Sequence, residues 1–461
     1  MPPVPASLAF DPANPRAALV DLPQSQAVFA LYGADARAEP YIGRTPNLRA
    51  RLERLLEPSA KHPRRLHLAG LVRTIRWQLT GSEFESLLAQ FSLLEEIYGA
   101  KALERMHLRA PAFVRFFGGN PYPRIAVTNC PSRREAAWAY GPFPSRAAAE
   151  RFSEEALKLF LLRRCTDDLA PDSSHPGCVY SEMKMCLAPC YKGCTDERYA
   201  DEAAAVEGFL ATRGESRLVT LRAARDRASA DLDFESAAAL HAQVQRVEAV
   251  RALASDLVRP LSRLRAVILQ PAAISDEVAV FLYVEGRLNG PAGFSTLGMR
   301  IQNENAGSTS LFAQPIAIEP VPERQEAGSK DRGSESQEPW TMDARAGDAG
   351  AGEQASEGAG EQQSAKIPRG LLESRLEAVL AELSALSAPP SATVHQGHLA
   401  LLKRWYYRPE AKRTGEIFFP GADGRWPIKA ILRGIGRVAA SSWKLAHRQP
   451  PQASQSSLPT A

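Results

Sequence analysis

No apolar run in this 461-residue chain approaches the roughly 18 residues that a membrane-crossing helix needs. A helical membrane span is therefore not expected. The opening residues, Met1-Pro2-Pro3-Val4-Pro5, lack the apolar segment that directs secretion, so the chain reads as cytoplasmic. Cysteine is scarce, at six residues, and a cytoplasmic protein keeps its thiols reduced. No large charge excess dictates a partner, since the formal net charge is +4. That charge is unevenly spread. Val321–Ala365 holds ten acidic and four basic side chains, so −6 there stands against +10 elsewhere. A basic remainder fits a polyanion and fits a solvated Arg-rich surface equally.

Five of the six cysteines fall between Cys165 and Cys194, and only Cys130 lies outside. Their gaps are twelve, seven, three and three residues. Zinc sites usually use tight Cys-x-x-Cys pairs, whereas iron–sulfur clusters accept looser and unequal spacing. By spacing alone a metal or cluster, free structural thiols and disulfides all remain open.

Residues 1–24 are Pro- and Ala-rich without a period and read as a mobile tail. Ala27–Tyr32 and Tyr41-Ile42-Gly43 read as two strands of a hairpin. A helix follows from Thr45-Pro46-Asn47, with Leu48, Leu52 and Leu55 on one face and Thr45 or Asn47 as the cap. Phe113–Phe117 and Arg124–Thr128 form a second expected hairpin, turning at Gly118–Pro121. Gly141-Pro142-Phe143-Pro144 reads as a loop, and a helix capped by Ser145 is expected to reach Leu162. Helical patterns then cover Tyr199–Leu210, Leu218–Ala230 and Phe234–Leu253, with a break at Asp231-Leu232-Asp233. Leu264–Gln270 and Val278–Val284 read as a β-meander with a Gly286/Gly290 turn. Residues 321–366 have too few apolar groups to offset their ordering entropy and are expected to be disordered. Helical periodicity returns at Leu371–Leu386, His398–Arg408 reads as a second helix or a helix–strand junction, and a short strand at Glu416–Phe419 and a polar tail from Ala440 follow. The word Lys403-Arg404-Trp405-Tyr406-Tyr407-Arg408 has the residues to stack bases and neutralise phosphates, or to pack in a core with its cations reaching past it.

The run Tyr140–Ser145, Arg163-Arg164-Cys165, and Cys178-x7-Cys186-Leu-Ala-Pro-Cys190 resembles the middle of the bacterial UvrC excinuclease family. That resemblance implies a 4Fe–4S cluster held by Cys165, Cys178, Cys186 and Cys190, with Cys194 as an extra thiol. Zinc is the alternative ligand of the same cysteines. The segment around Tyr41-Ile42-Gly43 resembles the GIY-YIG nuclease unit with which that family begins. It implies Tyr41, Arg44 and Arg51 as site residues. The expected first-triplet tyrosine is Phe29, and the expected metal-binding glutamate is Gln90. The family's later asparagine has no counterpart, because no Asn occurs between Gly81 and Gly119. Phe29 cannot ionise or donate, and a neutral amide is a poor ligand for Mg²⁺. A silent nuclease site is thus the expectation, with Mg²⁺ relevant only if the site is active. Glu83 and Glu95 are candidate substitute ligands or plain helix-flank residues. The word Leu232-Asp-Phe234-Glu235-x-Ala-Ala238 resembles the UVR motif, which implies docking on a UvrB-type helicase through Leu232, Phe234, Glu235 and Ala238. The meander after residue 256 resembles the opening of the family's RNase H-like domain, without its Asp-x-x-Gly-Gly wording.

The expected fold class is α+β and multidomain. The boundaries are a tail (1–24), a small GIY-YIG-like α/β sandwich (25–105), and a linking hairpin, helix and Cys-rich joint (106–198). A UVR-type helical hairpin (199–255), a β-rich remnant (256–320), the disordered linker (321–366), a small mixed C-terminal segment (367–439) and a tail (440–461) follow. The expected function is nucleotide-excision repair, with DNA and a UvrB-type helicase as partners. An active GIY-YIG endonuclease and a zinc-stabilised adaptor without DNA incision are the alternatives.

Overall fold

The first sheet is built from four antiparallel strands in the order β1-β4-β2-β3. They are β1 (Ala6–Ala9), β2 (Ala27–Gly33), β3 (Tyr41–Thr45) and β4 (Val72–Leu79). This computed structural model describes residues 6–35, 37–56, 68–129, 135–166, 168–297, 299, 368–385 and 389–446. The expected linker at 321–366 and Cys130 lie outside those residues. Residues 6–24 correct one expectation. They are not a loose tail, because β1 pairs with β4, and α1 follows at Pro15–Leu19. Their few apolar groups have no period, yet Phe10, Leu19 and Leu22 are buried in the first core.

Two helices cover opposite faces of that sheet. Leu48, Leu52 and Leu55 of α2 (Leu48–Leu56) pack with Phe29, Leu31 and Ile75. Ala89 and Leu93 of α3 (Glu83–Tyr98) pack with Val28 and Ala30. Alternation along β2 sends neighbouring side chains to different cores. Ser82 caps α3 by accepting the Glu85 N–H at 3.1 Å. The far side of α3 is apolar too. Phe84, Leu88 and Phe91 join Ile268, Phe281, Leu402 and Trp405 in a second core. A helix apolar all round is one buried all round. The short α4 (Ala102–Arg105) leads on to the next sheet.

That second sheet has the order β6-β5-β7-β8, from β5 (Ala112–Phe116), β6 (Ile125–Thr128), β7 (Ala139–Phe143) and β8 (Arg259–Pro260). The stretch Gly141–Phe143, expected as a loop, belongs to β7 and is buried. Ser145 caps α5 (Arg146–Leu157) by accepting the Ala148 N–H at 3.1 Å. The helix stops at Leu157, short of the Leu162 that its periodicity predicts. A short α6 (Val179–Glu182) and the helices α7 (Asp196–Ala211), α8 (Glu215–Ala230) and α9 (Phe234–Ala252) follow.

The third sheet has the order β11-β10-β9-β12. Its meander is β9 (Ala266–Pro271), β10 (Glu277–Val284) and β11 (Arg287–Ser295), and β12 (Glu416–Phe418) pairs antiparallel with β9. The expected β-rich remnant and C-terminal segment are therefore one layer, closed by α10 (Arg369–Ala385), α11 (Ala392–Tyr406) and α12 (Ile428–Ala446). The polar tail expected from residue 440 begins with the last turns of α12, whose small and basic residues disguise a helix. The fold is mixed α+β, and 6–297 with 368–446 belong to one compact unit. No helix among the described residues is long and apolar enough to cross a membrane.

Candidate functional site

Phe29 stands opposite Gly43 across β2 and β3. Its ring lies so close that a Cβ on Gly43 would sit 2.7 Å from Cζ, so only glycine fits there. Tyr41, two residues along on the same face, has its ring centroid 6.1 Å from that of Phe29. Asn47 caps α2 by accepting the Ala50 N–H at 2.9 Å. The capped helix brings the Arg51 guanidinium to donate to the Tyr41 hydroxyl at 3.2 Å. Phenol and guanidinium thus meet, with the phenol ring beside the buried Phe29 ring.

Arg44 lies an odd number of residues from Tyr41 along β3, so it projects to the other face of the strand. There its Nη1 reaches Glu83 Oε1 at 3.3 Å. Glu83 also accepts two hydrogen bonds from Arg408, both at 2.7 Å. The paired Arg408 guanidinium holds the Glu83 carboxyl down at about 2, with Arg44 contributing less. Gln90 and Glu95 sit on α3, which packs on the face opposite to Phe29 and Tyr41. The expected residues are therefore split. Phe29, Tyr41 and Arg51 come together on the α2 side, while Arg44 and Gln90 belong to the α3 side. Among the ion pairs of the described residues, none gives Arg51 a carboxylate.

The cysteine segment is fixed by Arg163, which is 1% exposed. Its Nε donates to the Tyr122 carbonyl at 2.8 Å, and its backbone N–H donates to the Tyr199 hydroxyl at 3.1 Å. The next residues run irregularly to Cys165, whose Sγ lies 3.5 Å from Arg163 Nη1. Cys178 precedes α6, and its N–H donates to the Ser181 hydroxyl at 3.0 Å. Ala188, in the left-handed region at φ 55°, donates its N–H to Cys186 Sγ at 3.3 Å. Cys165, Cys178, Cys186 and Cys190 all line one pocket with Arg163 and Arg164. Burial pushes the Cys186 thiol up to about 11. Cys194 instead packs beside the core of α5 and α7–α9. Among the described residues, no three His, Cys, Asp or Glu side chains are grouped so as to hold a metal ion.

The hairpin of α8 and α9 is anchored at its base by Leu218, Leu221, Val244, Val247 and Val250. Its tip turns at Leu232 in the left-handed region, φ 60°, and Asp233 caps α9 by accepting the Ser236 N–H at 3.1 Å. Leu232 and Phe234 are 71% and 66% exposed there, and Glu235 and Ala238 are exposed beside them. Large apolar side chains grouped in the open at one tip are what an interaction surface offers.

Residues 114–209 match the model of the UvrC/Cho excinuclease middle domain, and the four pocket cysteines lie inside that range. The chain is UvrC-like. It is 28% identical over 211 residues to UvrABC system protein C of Alcanivorax borkumensis, covering 46% of this chain and 34% of that one. The Brucella abortus (strain 2308) protein of the same name is 29% identical over 217 residues, 47% of this chain and 35% of the relative. That of Pseudomonas protegens is 27% identical over 241 residues, 52% and 39% respectively. The chain spans little more than a third of the length of the curated relatives it matches. No solved structure matches it.

Two residues of this UvrC-like chain have partners that the sequence does not indicate. Arg163 is legible there only as part of a flanking word, yet it lines the thiol pocket. Arg408 lies 325 residues from its partner Glu83, a pairing no local pattern encodes. Of its companions in the basic-aromatic word, Trp405 and Tyr407 point inward and Arg404 is exposed. Trp405 is buried and donates to the Thr414 carbonyl at 3.0 Å, and the Tyr407 hydroxyl donates to the Pro142 carbonyl at 2.9 Å.

Proposed function

We propose that this UvrC-like chain acts in nucleotide-excision repair, binding DNA and a UvrB-type helicase while its own first-sheet nuclease site is silent. The observation that carries the silent site is the Tyr41–Arg51 pair beside Phe29: the Tyr41 ring lies next to the Phe29 ring, and among the described residues no ion pair joins Arg51 to a carboxylate. A single-metal nuclease of the GIY-YIG type needs an oxygen donor beside that pair to seat Mg²⁺. Glu83, a candidate substitute, is already paired with Arg408 and Arg44 on the other face. Residues 137–255 carry the closest family wording, and the exposed Leu232 and Phe234 support docking of the helicase through Leu232, Phe234, Glu235 and Ala238.

Cys165, Cys178, Cys186 and Cys190 are assigned to a 4Fe–4S cluster. What supports this is the chemistry of the lining: four thiols border one pocket, and the Ala188 N–H and Arg163 guanidinium are aimed at two of the sulfurs. When bound, the cluster would cross-link the end of the α5 segment to 178–190 and stiffen a joint with little core of its own.

The test is incision of damaged duplex with Mg²⁺ or Mn²⁺, with and without the helicase partner. No cutting by this chain is expected, and Gln90→Glu alone restores none. Robust cutting by either protein would establish the active-endonuclease reading. Anaerobic purification should yield about four irons per chain. Stoichiometric zinc without iron would establish the adaptor reading instead.

A further inference from the structure

The last helix, α12, contains no Asp or Glu in its nineteen residues. Ile431, Leu432, Ile435 and Val438 form its buried side. On the other side Lys429, Arg433 and Arg437 recur every fourth residue, about 6 Å apart along the axis. Arg425, four residues before Lys429, continues the row into the lead-in loop and is 88% exposed. Arg437 is committed to Glu416 through two bonds, and Arg425 lies 3.9 Å from Asp423. Lys429 and Arg433 have no ion pair with a carboxylate among the described residues, and both are exposed.

Beside this ridge a groove of about 410 Å³ opens between α10 and the start of α12. Leu380 and Ala381 form one wall, and Trp426 and Ile428 the other. Arg265 stacks behind the Trp426 indole, 5.1 Å from its centroid. Glu377 and Ser384 lie on the α10 wall, and Arg425 lines the other side beside Trp426 and Ile428. The groove thus holds charges of both signs, whereas the ridge carries only cations, so phosphates are drawn to the ridge and the apolar groove is left for a base. A flat, uncharged group fits against the indole. An amino group on that ring would find the Glu377 carboxylate as acceptor.

We infer that the ridge and groove together form a docking site for single-stranded DNA: Lys429 and Arg433 take backbone phosphates while an unpaired base enters beside Trp426. Charge complementarity selects a polyanion, and the adjoining aromatic groove selects a strand whose bases are free over a closed duplex. The inference rests on the DNA-binding reading above and adds where a strand is held.

The test measures fluorescence anisotropy of the full chain with a labelled mixed-sequence single strand, and with its duplex, across a salt series. For Lys429→Gln/Arg433→Gln the slope of log K against log salt should become shallower by about 1.4, two phosphate contacts on a single strand. Trp426→Ala should weaken strand binding roughly tenfold, with Trp426→Phe recovering most of it. Both exposed cations can be removed without touching the core, so this pair alone decides the matter if Trp426→Ala fails to fold. Wild-type binding with an unchanged slope in the pair overturns this site while leaving DNA binding in place. Absence of wild-type binding overturns both. Tighter binding of the duplex, or competition by polyglutamate as effective as by the unlabelled strand, overturns the choice of partner.

Discussion

Glu83 and Glu85 stand two residues apart at the start of α3 and respond to pH in opposite directions. Glu83 is held near 2 by Arg408 and Arg44, below its ordinary 4.5. Its contribution is complete above about pH 4.5 and is lost as pH falls toward 2. Glu85 is 4% exposed and accepts the Gly81 N–H at 2.8 Å, but burial raises its carboxyl to about 7. The unfolded chain ionises Glu85 first, so stability falls between about pH 4.5 and 7, by roughly 3 kcal/mol at most. Thermal melts of Glu83→Gln should flatten the acid-side loss. Melts of Glu85→Gln should remove the decline toward neutrality and exceed the wild type above pH 7. A Glu85→Gln profile that still declines between pH 5 and 7 would assign that decline to another group.

At the scale of elements, α3 is the part most other parts depend on. One side closes the first sheet through Ala89 and Leu93, and the other meets the third sheet and α11 through Phe84 and Phe91. Gly397, inside α11, is where that contact is tightest. A Cβ there would lie 2.1 Å from Phe91 Cζ, and a buried ring has nowhere to turn. Gly397→Ala should therefore cost about 1–3 kcal/mol despite its better helix propensity. Calorimetry of Gly397→Ala with and without Phe91→Leu checks this, because shortening the ring should recover part of the loss. The α8–α9 hairpin is the contrasting element. Leu232→Ala/Phe234→Ala should leave the melting temperature within about a degree or two, since both side chains are exposed, while weakening helicase capture in a pull-down or calorimetric titration.

For the whole molecule, the third sheet draws together chain from both sides of residues 298–367. β12 adds to β9 through Glu416–Phe418, and Asn289 donates to the Leu383 carbonyl at 2.8 Å. His398, buried and kept neutral at about 3 chiefly by desolvation, accepts the Leu288 N–H at 2.9 Å. A protease site placed between 298 and 367 should yield two fragments that elute together by size exclusion and part only in denaturant. Fragments that separate under native conditions would contradict this closure.

Local pattern was enough for much of the fold. The Asn47 and Ser145 caps, the leucine face of α2, the β5–β6 hairpin and the α8–α9 hairpin all follow from residues a few positions apart, where capping and side-chain period act. The cysteine positions were likewise visible as a cluster of thiols. What the residues alone did not determine depends on distant contacts. β1 and β4 gain their meaning as neighbours in a sheet, and β7 is a strand because β5 and β8 flank it. Glu83 is a candidate ligand by composition, yet it becomes the anion between Arg44 and Arg408 only when the C-terminal segment folds back. The row on α12 has no counterpart among the expected elements, because only packing of Ile431 and Ile435 against the sheet turns its cations outward beside a groove. Periodicity acts along the chain, whereas strand pairing, ion pairs across hundreds of residues and the walls of a cleft exist only after the chain has closed on itself.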